Sequence, residues 1–322
     1  MDEIIRGLCA TRGFVFRHEL LAAGLQDRHI RLAQRRGLLT RLRHGTYAPA
    51  ELVRAMTPEE HHLLLARSVL AKLGDGVALS HHSAAIAHTG VSFGVDLSVV
   101  HVTRLDGRGG RREAGIDHHV GSVVPDSDLC MVDGLQVVIP TRAVIESCSV
   151  ASIESGMVTS SFALRRGACT HDELVEQMAR HQRWPGMLTV RLAVQRAEPR
   201  CESVGEVRSL YLFAEFGIER PETQVVIADD DGEFARTDFG WRAAGHVGEF
   251  DGLVKYGRLN PEDGDRVGEV LVFEKRREDR IRDLDLGVSR WTTFELGRRE
   301  RKKTAARIAA ALERSRRRRR AS

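Results

Sequence analysis

Apolar positions in the first fifty residues recur at helical spacing and are broken by short polar turns. Ile4, Ile5 and Leu8 mark one helix face, and His18 to Ala23 carries a second short helix. After the turn at Gly24-Leu25, Asp27 is placed to cap a third helix, Arg28 to Arg36, with Ile30, Leu32 and Ala33 turned inward. Leu38-Leu39, Arg41, Arg43 and Gly45-Thr46-Tyr47 then read as a hairpin with glycine at the turn. Thr57-Pro58-Glu59-Glu60 combines an N-cap, a proline at the first helical position and an acid at the third, and predicts a helix to about Leu73. Ser80 opens a short helix, Val99 to Val102 reads as a buried strand, and Gly134 to Val144 gives a strand, a proline stop and a helix capped by Thr141. Thr170 with Glu173 forms a second capping box, for a helix through Met178.

From Arg200 the pattern changes. Glu202-Ser203 opens a helix through Phe216, with Glu202 and Glu206 one turn apart. Gln224 to Ile227 and Arg236 to Trp241 are strands joined by the turn Asp229-Asp230-Asp231-Gly232, and His246 to Gly252 is a third strand with Glu249 and Asp251 on one face. A charged helix, Glu274 to Asp283, precedes a fourth strand, Arg290 to Leu296. Helix, three strands, helix, strand is the core order of the PD-(D/E)XK nuclease fold. Phosphodiester hydrolysis needs an activated water and neutralisation of developing charge, which Mg2+ or Mn2+ held by carboxylates supplies. Asp238 and Glu249 are the expected metal pair, with Glu202 or Glu206 completing the set. The chain departs from that fold at Asp251, where a lysine is usual; Lys255 or Lys275 is the expected replacement.

Hydrophobic residues at 42% and charged residues at 29% are ordinary for globular chains, and 322 residues suffice for two or more domains. No apolar run approaches the roughly 20 residues that span a bilayer, which points to a cytoplasmic protein without membrane partners. The five cysteines stand singly and read as reduced, buried small hydrophobes. His61-His62, His81-His82 and His118-His119 invite a metal reading, but neighbours in a helix or strand point apart, so each pair offers at most one ligand; surface or capping roles are expected. The formal charge of +4 conceals a polarity: Arg298 to Ser322 holds twelve Arg or Lys against two Glu, leaving the remainder net acidic. That basic tail is expected to start as an amphipathic helix, end in disorder and add salt-sensitive phosphate affinity.

The basic third helix and the hairpin after it resemble a winged helix-turn-helix. The resemblance implies Arg28, His29, Arg31, Gln34 and Arg35 in a major groove and Arg41 and Arg43 on phosphates; the alternatives are a solvated basic face or a module for protein contacts. Together with the Ser80 to Gly90 and Gly134 to Ile145 segments, residues 1 to 180 resemble the AbiEi family of type IV antitoxins. Such proteins join a DNA-binding winged helix to an α/β domain and repress their own operon. Glu249-Phe250-Asp251-Gly252 is similar to the Glu-x-Asp-Gly of nuclease-like domains related to very-short-patch repair endonucleases. The expected architecture is therefore α/β and multidomain: a winged helix at 1–50, a mixed α/β domain at 51–195, a nuclease-like αβββαβ core at 196–297 and a basic tail at 298–322. The expected function is a DNA-binding protein with a metal-dependent endonuclease domain, the alternative a repressor or antitoxin whose nuclease-like domain is inert. DNA, a cognate toxin or a second copy are the expected partners.

Overall fold

Side-chain caps at Thr57, Ser152, Thr170 and Ser203 start four of the described helices, and the sheets are assembled from the strands between helices. The computed structural model describes residues 1–252, 277 and 279–321; Lys255 and Lys275 lie outside them. The chain is mixed α/β and divides into two compact units, Met1–Gln195 and Arg196–Ser322.

The first unit opens with α1 (Asp2–Cys9), β1 (Val15–Phe16), α2 (Arg17–Ala22), α3 (Asp27–Arg35), β2 (Leu39–Arg43), β3 (Thr46–Pro49) and α4 (Ala50–Ala55). The strands form a small antiparallel sheet in the order β1-β3-β2, with Gly45 supplying the positive φ of the β2–β3 turn. Ile5, Val15, Leu20, Ile30, Ala33 and Leu39 make its core. A second cluster, Phe14, Ala48 and Leu64, joins this part to α5 (Pro58–Leu73).

Beyond α5 come β4 (Val77–Leu79), α6 (His81–Thr89), β5 (Val100–Arg104), β6 (Arg111–Glu113), β7 (Ile116–His119), α7 (Pro125–Asp128), β8 (Leu129–Val132) and β9 (Leu135–Val138). These strands build one mixed sheet, β6-β7-β5-β4-β9-β8, in which β5–β7 and β4–β9 are parallel pairs. Four helices close the unit: α8 (Pro140–Val150), α9 (Ile153–Arg165), α10 (His171–Arg180) and α11 (Met187–Arg196). Leu79, Val100, Val102, Ile116 and Val137 fill the core between sheet and helices.

The second unit runs α12 (Val204–Glu215), β10 (Glu222–Asp229), β11 (Gly232–Trp241), β12 (His246–Asp251), β13 (Gly287–Thr292) and α13 (Arg301–Ala321), with residues 279–283 also helical. Its sheet follows chain order, β10-β11-β12-β13; the first two pairings are antiparallel and β12–β13 is parallel. The Phe213 ring of α12 meets Phe239, Trp241 and Trp291 edge-to-face, ring centres 5.2–5.6 Å apart. Gly205 lets β12 approach: a Cβ there would lie 1.9 Å from the Phe250 ring.

Several local expectations give way to tertiary contacts. Gln26, not Asp27, is the N-cap of α3; Asp27 is its first residue and binds the Arg17 guanidinium at 2.8 and 2.5 Å. Thr141 lies inside α8, whose cap position is Ile139 with no side-chain acceptor. Glu202 precedes α12 and its cap Ser203, so it shares no helix face with Glu206. The fourth strand ends at Thr292, and Phe294–Leu296 is a short 3-10 turn. The basic tail is a continuous helix through its arginine run, because Thr304, Ala305, Ile308, Ala311, Leu312 and Ser315 bury one stripe of it. The paired histidines are mostly internal: His62, His81, His82 and His118 are all buried.

Candidate nucleic-acid interface and acidic site

Helix α3 is held from beneath by Ile30 and Ala33 and at its start by the Arg17–Asp27 pair. Arg28, Arg31 and Arg35, spaced three and four residues apart, fall on one exposed side of it, with Gln34 half-buried at the margin. His29 is committed elsewhere, since its Nδ1 accepts the Gln26 backbone N–H at 3.2 Å and closes the helix cap. On the hairpin, Arg41 is exposed and its guanidinium reaches the Arg43 carbonyl at 3.4 Å and His44 Nδ1 at 3.1 Å. Arg43 turns partly inward, where burial lowers its pKa and the Glu113 carboxylate counteracts this. The exposed basic surface of this face is therefore Arg28, Arg31, Arg35 and Arg41.

In the second unit β11 and β12 pair Phe239 with Gly248, and one further step of that register sets Asp238 opposite Glu249. Asp238 Oδ2 accepts the Phe250 backbone N–H at 2.7 Å. The parallel partner β13 puts Arg290 beside Glu249 and Thr292 beside Asp251. Arg290 Nε donates to Glu249 Oε2 at 2.9 Å, while an Arg277 guanidinium nitrogen stands 2.8 Å from Oε1. Glu249 is only 7% exposed, so both its oxygens are engaged by guanidinium groups away from water.

Glu206 is equally committed. Its carboxylate accepts the Glu202 backbone N–H at 2.8 Å, the Ser203 hydroxyl at 2.7 Å and the Gln224 amide at 2.9 Å. Glu202 itself is exposed and pairs with Arg236 at 3.1 Å. Arg280 binds Asp229 and stacks over Phe234, tying the helical residues 279–283 to the β10–β11 hairpin. A hard divalent cation takes oxygen ligands whose lone pairs face it. Glu249 is held between two arginines and Glu206 is spent on a helix cap, so these two carboxylates do not offer such an ion open oxygen ligands. Among the described residues the group of three donors close enough to hold a metal is instead His81, His101 and His119, in the first unit. The sequence showed His81 and His119 as members of adjacent pairs; the lone His101 inside Val-His-Val gave no signal.

No family model matches the chain. Two curated proteins from strains of Mycobacterium tuberculosis, "Uncharacterized protein MT2308" and "Uncharacterized protein Rv2248", are each 26% identical to it over 189 residues, 58% of this chain. The matched stretch spans 65% of each relative, less than two thirds of its length. The crystal structure of the RV2827C protein from Mycobacterium tuberculosis is similar with a TM-score of 0.38 and 14% identity, over 70% of this chain and 87% of that one. Among the described residues no helix is long and apolar enough to cross a membrane.

Proposed function

We propose that this chain is a DNA-binding regulator of the winged helix-turn-helix kind, in which α3 enters a major groove and the β2–β3 hairpin lies against phosphates. The observation that carries the reading is the single exposed side of α3, where Arg28, Arg31 and Arg35 stand over the buried Ile30 and Ala33. A guanidinium can bind the O6 and N7 edge of guanine in bidentate fashion or a phosphate oxygen, so three on one short helix serve both reading and anchoring. The resemblance to AbiEi antitoxins supports a repressor or antitoxin role, with a cognate toxin or a second copy as further partner.

For the second unit the same reading assigns binding without cleavage. The order α12, β10, β11, β12, helical residues, β13 favours a second reading, a PD-(D/E)XK endonuclease using Asp238, Glu249 and Glu202 with Lys255 or Lys275. The arginine clamp on Glu249 and the acid at Asp251 weigh against it.

One set of purified proteins decides between them. Duplexes selected from a random pool should bind the wild type, and Arg28→Ala, Arg31→Ala and Arg35→Ala together should abolish the selection; an unchanged gel shift sinks the α3 interface. The same DNA incubated with Mg2+ or Mn2+ should stay intact. Nicking that both Asp238→Ala and Glu249→Ala remove would establish the endonuclease instead.

A further inference from the structure

Helices α6 and α8, to which the DNA-binding reading gives no task, meet around a set of buried imidazoles. His82 Nδ1 lies 2.7 Å from the Ser147 hydroxyl, and the His81 backbone N–H reaches Glu146 Oε2 at 3.3 Å. His101 comes from β5 and His119 from β7. The parallel register pairs His101 with Asp117, so His119, two residues on, shares its face of the sheet. His101 Nδ1 and His119 Nε2 are 2.9 Å apart, and the His81 and His119 rings stack at 3.6 Å.

We propose that His81, His101 and His119 form a binding site for a zinc-class divalent transition-metal ion. One ring nitrogen from each lies within 4.8 Å of the others. Tetrahedral ligation with Zn–N near 2.0–2.1 Å separates donors by roughly 3.3 Å, a value inside the 2.9–4.8 Å spread of this cluster. The three rings stack within 28° of parallel, so ligation turns them out of the stack to aim their in-plane lone pairs at one point, chiefly at His119, the half-buried member. Three imidazoles suit zinc and its neighbours and not magnesium or calcium, which select oxygen. Three protein ligands also leave a fourth position for water or an incoming group.

Two further observations separate this cluster from an ordinary packed core. His81 adopts φ +49, a left-handed conformation that is costly for a residue with a Cβ and that concentrates at functional sites. Behind it stand the Ser80 hydroxyl, 3.1 Å from His81 Nδ1, and the buried Glu146 carboxylate at 3.5 Å, on the side where outer-shell groups orient a metal-bound imidazole. Glu146 is fixed by Arg142 at 2.7 Å, and the same guanidinium binds Asp128 at 2.9 Å.

The test uses the full chain, stripped with a chelator and titrated with Zn2+, or with Co2+ as a spectroscopic probe. Expected are about one ion per chain, visible cobalt bands of a nitrogen-rich tetrahedral or five-coordinate site, and a melting temperature that rises with metal concentration. His101→Gln and His119→Gln should each weaken binding by at least about tenfold, whereas Asp238→Ala with Glu249→Ala should leave it unchanged. Circular dichroism checks the fold of each variant; if His101→Gln does not fold, His119→Gln at the half-buried position carries the comparison. A wild type that retains no ion, or one whose ion the histidine variants retain equally, overturns the site and leaves a hydrogen-bonded imidazole stack.

Discussion

His246 sits between two hydroxyl groups, Ser315 at 2.9 Å from Nδ1 and Ser289 at 2.9 Å from Nε2, so a neutral ring satisfies both nitrogens. Burial, then the charges of Arg318 and Arg314, push its pKa down to about 4. The unfolded chain takes up a proton near pH 6.5 that the folded chain refuses until about pH 4. The stability His246 contributes is thus complete above pH 6.5 and lost as the pH falls through that window. Urea unfolding followed by tryptophan fluorescence should show a midpoint falling between pH 7 and about pH 4.5, and His246→Gln should flatten that fall. An equal pH slope in the variant would show that His246 is not buried as a neutral ring. His82 and His101, held at about 4 and about 3 chiefly by burial, act in the same direction in the first unit. Residue identities of this kind are readable in a sequence, but their partners are not. Glu249 was visible as an acid on a strand; its arginine clamp depends on the β12–β13 register, which brings in Arg290 from 41 positions away. The histidine triad was hidden for the same reason, since it needs one ring from each of three elements.

At the scale of elements, local chemistry was the reliable guide. The capping boxes at Thr57 and Thr170 start α5 and α10 where the sequence put them, because cap and helix share a few consecutive residues. The last helix was legible at its start, where an amphipathic stretch was expected, and misled only at its arginine end. The arginine run suggested a disordered end, yet Thr304, Ile308, Leu312 and Ser315, spaced four, four and three residues apart, form one buried stripe that carries the helix into it. Its arginines are in part neutralised on the spot, Arg301 by Glu215, Arg307 by Glu295 and Arg316 by Glu219. Two variants separate a packed helix from an attached tail. Ile308→Ala removes a side chain with no exposure and should cost about 2–5 kcal/mol in urea denaturation. Ending the chain after Ser315 removes the half-buried Arg316 and the exposed arginines after it, whose surface pairs contribute only about 0–1 kcal/mol each, so stability should change far less. Equal, small effects from both changes would mean that α13 does not belong to the core of its unit.

For the whole molecule, charge placement decides how DNA would be held. Phosphate contacts release counterions, and the logarithm of affinity falls with the logarithm of salt concentration by about 0.9 for each phosphate neutralised. Two basic surfaces compete for that role. The α3 side carries Arg28, Arg31 and Arg35 exposed, with the nearby Asp27 already paired to Arg17, whereas α13 spends several of its arginines on carboxylates of its own unit. An exposed guanidinium that must first leave an acid contributes less to counterion release than one facing solvent alone. Anisotropy titrations of a selected duplex between 50 and 200 mM salt should therefore show a slope that drops by about 2–3 when the three α3 arginines become alanine. Ending the chain after Ser315 should lower affinity for selected and random duplexes by the same factor and keep the preference between them, because a basic run meets phosphates and reads no base edges. Should the truncation erase the preference while the α3 variant keeps both slope and selectivity, recognition would belong to the second unit, and the winged-helix reading of the first would fail with it.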